Sequence, residues 1–149
     1  MINENKQPFD ILLVEDEPAD ANLIKMALKE GKINYRLHHV LDGVEALHFL
    51  HEHQLNSNST QADLIILDLN MPRMNGKEFL KSIKSDKQLN SIPVVVLTTS
   101  DVERDVVASY KLGASGFITK PIDMDQFIKA IGQLQDYWFN LNRLPKKES

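Results

Sequence analysis

The chain has 149 residues, 42% of them hydrophobic and 26% charged, which suits one compact domain and excludes a disordered or fibrous architecture for its bulk. Its 17 Lys plus Arg stand against 21 Asp plus Glu, a formal charge of −4, so a mildly acidic surface argues against a DNA partner. Cysteine is absent, which excludes a disulfide framework, a thiol nucleophile and a thiolate metal site.

Residues 1–8 are polar, lack the apolar core of a signal peptide and read as a flexible arm. No run reaches the roughly 18 apolar residues that span a bilayer. The expectation is a cytoplasmic protein without a membrane partner. Residues 11–14 are continuously apolar, as a strand buried on both faces is. A helix starts around Pro18, whose fixed φ suits a first turn, and ends near Gly31; Leu23, Ile24, Ala27 and Leu28 share one of its faces. Residues 35–40 form a weaker strand signal. Asp42 with Glu45 has the spacing of a capping box and opens a second helix. His48, His51 and His53 cluster where that helix is ending, and a solvated face accounts for them better than a metal site does. A polar loop over 54–61 leads to a second continuous apolar run, 64–67. Asn75 with Glu78 opens a third helix, residues 94–97 repeat the buried-strand pattern, and Ser100 with Glu103 opens a fourth helix. Residues 116–119 form the last strand, and Asp123 with Gln126 opens the fifth helix. Strands alternating with helices in this way predict a doubly wound five-stranded parallel sheet with five helices on its two faces.

In such a sheet the functional crevice lies at the carboxyl ends of the strands. Glu15, Asp16 and Glu17 follow the first strand, Asp68 the third, Thr98 with Thr99 and Ser100 the fourth, and Lys120 with Pro121 the fifth. A lone acid at a strand end is ordinarily a helix cap, and a lone Lys-Pro is ordinarily a turn. Four strand ends agreeing makes coincidence a poor account. Clustered carboxylates repel unless compensated, and Mg²⁺ accepts carboxylates, a carbonyl and waters. A lysine and a hydroxyl opposite could hold phosphoryl oxygens, which points to phosphoryl transfer, with a carboxylate as a possible nucleophile.

Over residues 9–134 the chain resembles the receiver domain of two-component response regulators. The resemblance rests on Leu13-Val14-Glu15-Asp16, Leu67-Asp68-Leu69-Asn70-Met71-Pro72, Thr98-Thr99-Ser100, Gly113-Ala114-Ser115-Gly116 and Lys120-Pro121. It implies the flavodoxin-like strand order 2-1-3-4-5 and a phosphoryl group accepted on Asp68 from a histidine kinase or phosphotransfer protein. It implies a Mg²⁺ site of Glu15, Asp16, Asp68 and the Asn70 carbonyl, with Lys120 on the phosphoryl group. It implies a switch made of Thr98 and Phe117, and a cis bond between Lys120 and Pro121. Glu15 departs from the family's commoner Asp and could reach the metal through water. On this reading the protein is no enzyme beyond Mg²⁺-dependent self-phosphorylation and autodephosphorylation. An aspartyl-phosphate phosphatase would need an acid where Asn70 stands, and a flavin or dinucleotide protein would need a Gly-rich loop where Glu15, Asp16, Glu17 and Pro18 stand. A degenerate receiver acting as a scaffold is disfavoured because every site position is filled.

No output domain fits after the fifth helix pattern, so the receiver surface itself is expected to engage an unknown downstream protein. Met124, Phe127, Ile131, Leu134, Trp138 and Leu141 recur at helical spacing. Tyr137, Trp138 and Phe139 are consecutive, so one core-facing stripe cannot bury all three. Residues 135–149 therefore read as a helical extension and tail, with Tyr137, Trp138, Phe139 and Leu141 at an interface. The tail resembles that of regulators paired with bacterial phytochrome kinases, which implies a homodimer through the fourth and fifth helices.

Overall fold

The computed structural model describes residues 9–30, 35–55, 62–69, 74–98, 111, 113–119 and 123–136. Five strands, β1 (Phe9–Val14), β2 (Tyr35–Val40), β3 (Leu64–Asp68), β4 (Val94–Thr98) and β5 (Gly116–Thr119), form one parallel sheet in the order β2-β1-β3-β4-β5. The helices among the described residues are α1 (Pro18–Glu30), α2 (Gly43–Leu55), α3 (Gly76–Lys84) and α4 (Met124–Asp136). The helix expected from Ser100 and the Lys120-Pro121 bond lie outside the described residues.

Side chains alternate across the sheet, so β1, β3 and β4 each feed two cores. Leu12, Val14, Ile65, Leu67, Val94 and Val96 pack with Ala46 and Leu50 of α2 and with Phe79, Leu80 and Ile83 of α3. Ile11, Leu13, Leu64, Ile66, Val95 and Leu97 pack on the other side with Ala21, Ile24, Ala27 and Leu28 of α1 and with Phe127 of α4. Burial on both faces is why three of the strands contain unbroken apolar runs of four residues. The α1 face differs slightly from expectation: Ala21 is buried in it, and Leu23 is only half-buried.

The helix starts follow the capping chemistry. Asn75 Oδ1 accepts from Glu78 N–H at 2.9 Å, and Glu78 Oε1 accepts from Asn75 N–H at 3.1 Å, a complete capping box. Asp42 Oδ1 accepts from Glu45 N–H at 3.0 Å, while Glu45 reaches back one residue further, to Leu41 N–H. Asp123 Oδ1 accepts from Gln126 N–H at 3.1 Å. Helix α2 runs to Leu55, so Gln54 is helical rather than part of the polar loop.

Strand β1 begins at Phe9, two residues before its apolar run, and therefore contains a buried acid, Asp10. Its carboxylate is answered from β2: Arg36 donates from Nε to Oδ1 at 2.9 Å and from Nη2 to Oδ2 at 3.2 Å, and His38 Nε2 lies 3.4 Å from Oδ1. The hydrogen bond to Asp10 raises the pKa of Arg36 above its ordinary value. Asp63 closes the network through both its carboxylate and its N–H, at 2.9 and 2.7 Å from the Asp10 backbone. This network lies at the amino end of the sheet, away from the crevice. Among the described residues no helix is long and apolar enough to cross a membrane.

Candidate functional site

The acidic cluster is built where β1 and β3 end. Glu15 prolongs the β1 ladder by one bond, its N–H donating to Val40 O at 3.1 Å. Its side chain is completely buried, and Oε2 accepts from Glu17 N–H at 3.2 Å. Glu17 turns instead to α1: Oε1 accepts from Ala19 N–H at 3.2 Å, and its carbonyl accepts from Ala21 N–H at 3.0 Å. The three consecutive acids therefore divide their roles, and Glu17 acts as a helix cap. Asp16, between them, is exposed.

Asp68 is the last residue of β3 and is buried. It stands opposite Leu97 in β4, and Leu69 N–H continues that ladder to Leu97 O at 3.2 Å. One carboxylate oxygen from each of Glu15, Asp16 and Asp68 lies within 4.8 Å of the others. This is the only such cluster of three His, Cys, Asp or Glu side chains among the described residues. Three carboxylates so close repel one another, and two of them are buried. A hard divalent cation fits this all-oxygen anionic set, whereas Zn²⁺ in a structural site favours nitrogen and sulfur donors.

The sheet register places the other expected residues along the same edge. Thr98 ends β4, one residue beyond Leu97, and stands opposite Thr119. Phe117 stands opposite Val96. The side chains of Thr98 and Phe117 lie outside the described residues, as do Asn70, Lys120, Tyr137, Trp138, Phe139 and Leu141. His48 and His51 join no cluster of three potential ligands among the described residues, and the side chain of His53 lies outside those residues. His48 Nε2 lies 3.2 Å from Glu52 Oε2 and His51 Nε2 lies 3.7 Å from Asp86 Oδ2, both rings being exposed. Acids thus do stand beside each ring, and α2 continues past both, yet the solvated helix face expected for them holds.

Two residues that support the site carry no sequence motif. Gly76 opens α3, and its N–H donates to Leu69 O at 2.9 Å. A Cβ there would meet Leu69 Cα at 2.5 Å and Asp68 O at 2.6 Å. The helix can seat against the backbone of Asp68 only without that atom. The other is His39 of β2, whose Nε2 lies 2.8 Å from the Glu15 carbonyl. The available signal for Gly76 was its place directly after the capping Asn75, a position that does not itself require glycine; His39 had none.

The family model for the response regulator receiver domain matches residues 11–132. Response regulator Rcp1 of Synechocystis is 40% identical over 145 residues, which span 97% of this chain and 99% of Rcp1. A crystal structure of the Mn²⁺-bound form of Rcp1 superposes with a TM-score of 0.78 over 93% of this chain and 100% of that one, at 40% identity. The phosphorylated cyanobacterial phytochrome response regulator RcpA gives a TM-score of 0.79 at 39% identity, over 93% of this chain and 99% of RcpA. The bacteriophytochrome response regulator RtBRR gives 0.77 at 39% identity, over 95% and 86%.

Proposed function

The chain belongs to the response regulator receiver domain family, and on that premise we propose that Asp68 accepts a phosphoryl group from a histidine kinase. The observation that carries this reading is the buried carboxylate of Asp68 at the end of β3, with Glu15 and Asp16 beside it. In the transfer, an Asp68 carboxylate oxygen bonds to phosphorus as the bond from phosphorus to the donor imidazole breaks. The imidazole leaves neutral when its other ring nitrogen already carries a proton, so the donor supplies that proton and no general acid is required of this chain. The relatives linked to phytochromes make a phytochrome-type histidine kinase the proposed donor.

Mg²⁺ is the proposed cation, held by Glu15, Asp16, Asp68 and the Asn70 carbonyl; when bound it neutralises charge building on the phosphoryl oxygens. Glu15 is tied down by Glu17 N–H and completely buried. Asp16 is exposed at the mouth, where an incoming donor meets it. In this proposal Lys120 pairs with one phosphoryl oxygen and Thr98 donates to another. Drawing Thr98 inward lets Phe117, on the adjacent strand, turn with it. The altered face then binds a downstream protein, and residues 137–141 join two copies as a homodimer.

The test is uptake of a phosphoryl group from acetyl phosphate in the presence of Mg²⁺, read by intact mass. One group on the wild type and none on Asp68→Asn is the expected result. Equal uptake by the two proteins would overturn the assignment.

A further inference from the structure

We propose that His39 is a positioning residue of the metal site, holding the peptide bond that aims Asp16. The inference rests on the reading that Glu15, Asp16 and Asp68 hold a divalent cation.

Glu15 is the point where β1 leaves the sheet. Its N–H still has a ladder partner, Val40 O at 3.1 Å. Its carbonyl faces the same neighbouring strand, but β2 ends at Val40 and the chain turns towards α2. There the imidazole of His39 takes the place of a ladder N–H: Nε2 lies 2.8 Å from Glu15 O. A carbonyl can only accept, so Nε2 carries the proton and donates. His39 is set for this by register, since it pairs with Leu13, two residues before Glu15 and on the same face of the sheet.

The consequence falls on Asp16. The peptide unit is planar, so fixing the Glu15 carbonyl also fixes the Asp16 N–H and the Asp16 Cα. Glu15 has a second restraint, from Glu17 N–H to its carboxylate. Asp16 is exposed, and its side chain has no hydrogen bond or ion pair to another described residue. The backbone that His39 holds fixes where the Asp16 side chain starts from. Without the ring the 15–16 peptide can rock, and Asp16 leaves the cluster for part of the time. A metal that must then select the arranged state binds more weakly by the lost fraction.

The experiment is calorimetric titration of Mg²⁺ into the wild type, His39→Leu, His39→Gln and Asp16→Asn, with a denaturant midpoint for each. Losing a hydrogen bond of ordinary net strength should weaken binding by His39→Leu about three- to tenfold. His39→Gln, whose amide N–H can donate over a similar reach, should recover most of that loss. A side chain that merely filled space would give the opposite ranking or none, because Leu fills the site as well as Gln does. Wild-type affinity in His39→Leu, or equal losses in His39→Leu and His39→Gln, would overturn the proposal. A wild type that takes up no Mg²⁺ would overturn the metal reading and this inference together, whereas loss confined to Asp16→Asn overturns this inference alone.

Discussion

Placing alanine at Gly76 is a direct test of how α3 seats against Asp68. The added Cβ would lie 2.5 Å from Leu69 Cα and 2.6 Å from Asp68 O. Nonbonded carbons are comfortable at about 3.5 Å or more, so α3 or the Asp68–Leu69 backbone must retreat by about 1 Å. Both obstructing atoms are backbone, so no rotamer change relieves the contact. Overpacking of this kind costs about 1–3 kcal/mol. Alanine's better helix propensity offsets up to about 1 kcal/mol of it. A net loss of about 1–2 kcal/mol lowers the melting temperature by roughly 3–8 °C in a domain of this size. Because the obstruction includes the Asp68 carbonyl, phosphoryl uptake should also slow. Gly132 is the control: it lies within α4 with nothing within 4 Å of a built Cβ, so Gly132→Ala should stabilise by about 0.5–1 kcal/mol. Differential scanning calorimetry of both variants, with uptake rates, decides the matter. A Gly76→Ala protein that melts at or above the wild-type temperature would refute the close-approach argument.

Amide substitutions at Asp16 and Asp68 should weaken Mg²⁺ binding more than the same change at Glu15, whose extra methylene suits contact through water; equal losses in metal titrations would remove that distinction. Lys84 Nζ donates to Asn90 O and Ile92 O at 3.0 and 2.9 Å, so Lys84→Met should cost about 1–2 kcal/mol in urea denaturation by leaving both carbonyls without it. Burial lowers the Lys84 pKa, so the unfolded chain binds the extra proton just below 10.5 and stability from this group rises with pH through that alkaline window. The slope should vanish in Lys84→Met, and an unchanged slope would assign it elsewhere. Thr98→Val should still take up beryllofluoride at Asp68 while its NMR shift changes around Phe117 shrink, and undiminished changes would exclude the hydroxyl as the coupling element. Phe139→Asp should sediment as a monomer with phosphoryl uptake intact, and a wild type that is monomeric at micromolar concentration would remove the dimer reading.

Much of the fold was legible because burial on both sheet faces leaves unbroken apolar runs, as at Ile65, Val95 and Leu97. The helix starts were legible because capping is local chemistry, and Asn75 with Glu78 forms the complete box that its spacing implies. Contacts made across the sheet were not legible. Asp10 hid the first two residues of β1, since a charge reads as a strand end until Arg36 arrives from β2 to pair with it. His39 was silent for that reason, and Gly76 because its close approach to the Asp68 and Leu69 backbone depends on how α3 packs rather than on residue spacing. The site acids were legible because strand ends converge in a doubly wound sheet, but their proximity gave no sign that Glu17 would cap α1.

The central claim is that one carboxylate, Asp68, carries the phosphoryl group. An acyl phosphate on Asp is reduced by borohydride to homoserine, which marks the modified position permanently. Wild-type protein should be treated with acetyl phosphate and Mg²⁺, reduced, digested and mapped by mass spectrometry. The account predicts homoserine at position 68 alone, and none when Mg²⁺ is chelated beforehand. A mark at position 16 or 63 with position 68 untouched, or marking that survives chelation undiminished, would contradict it.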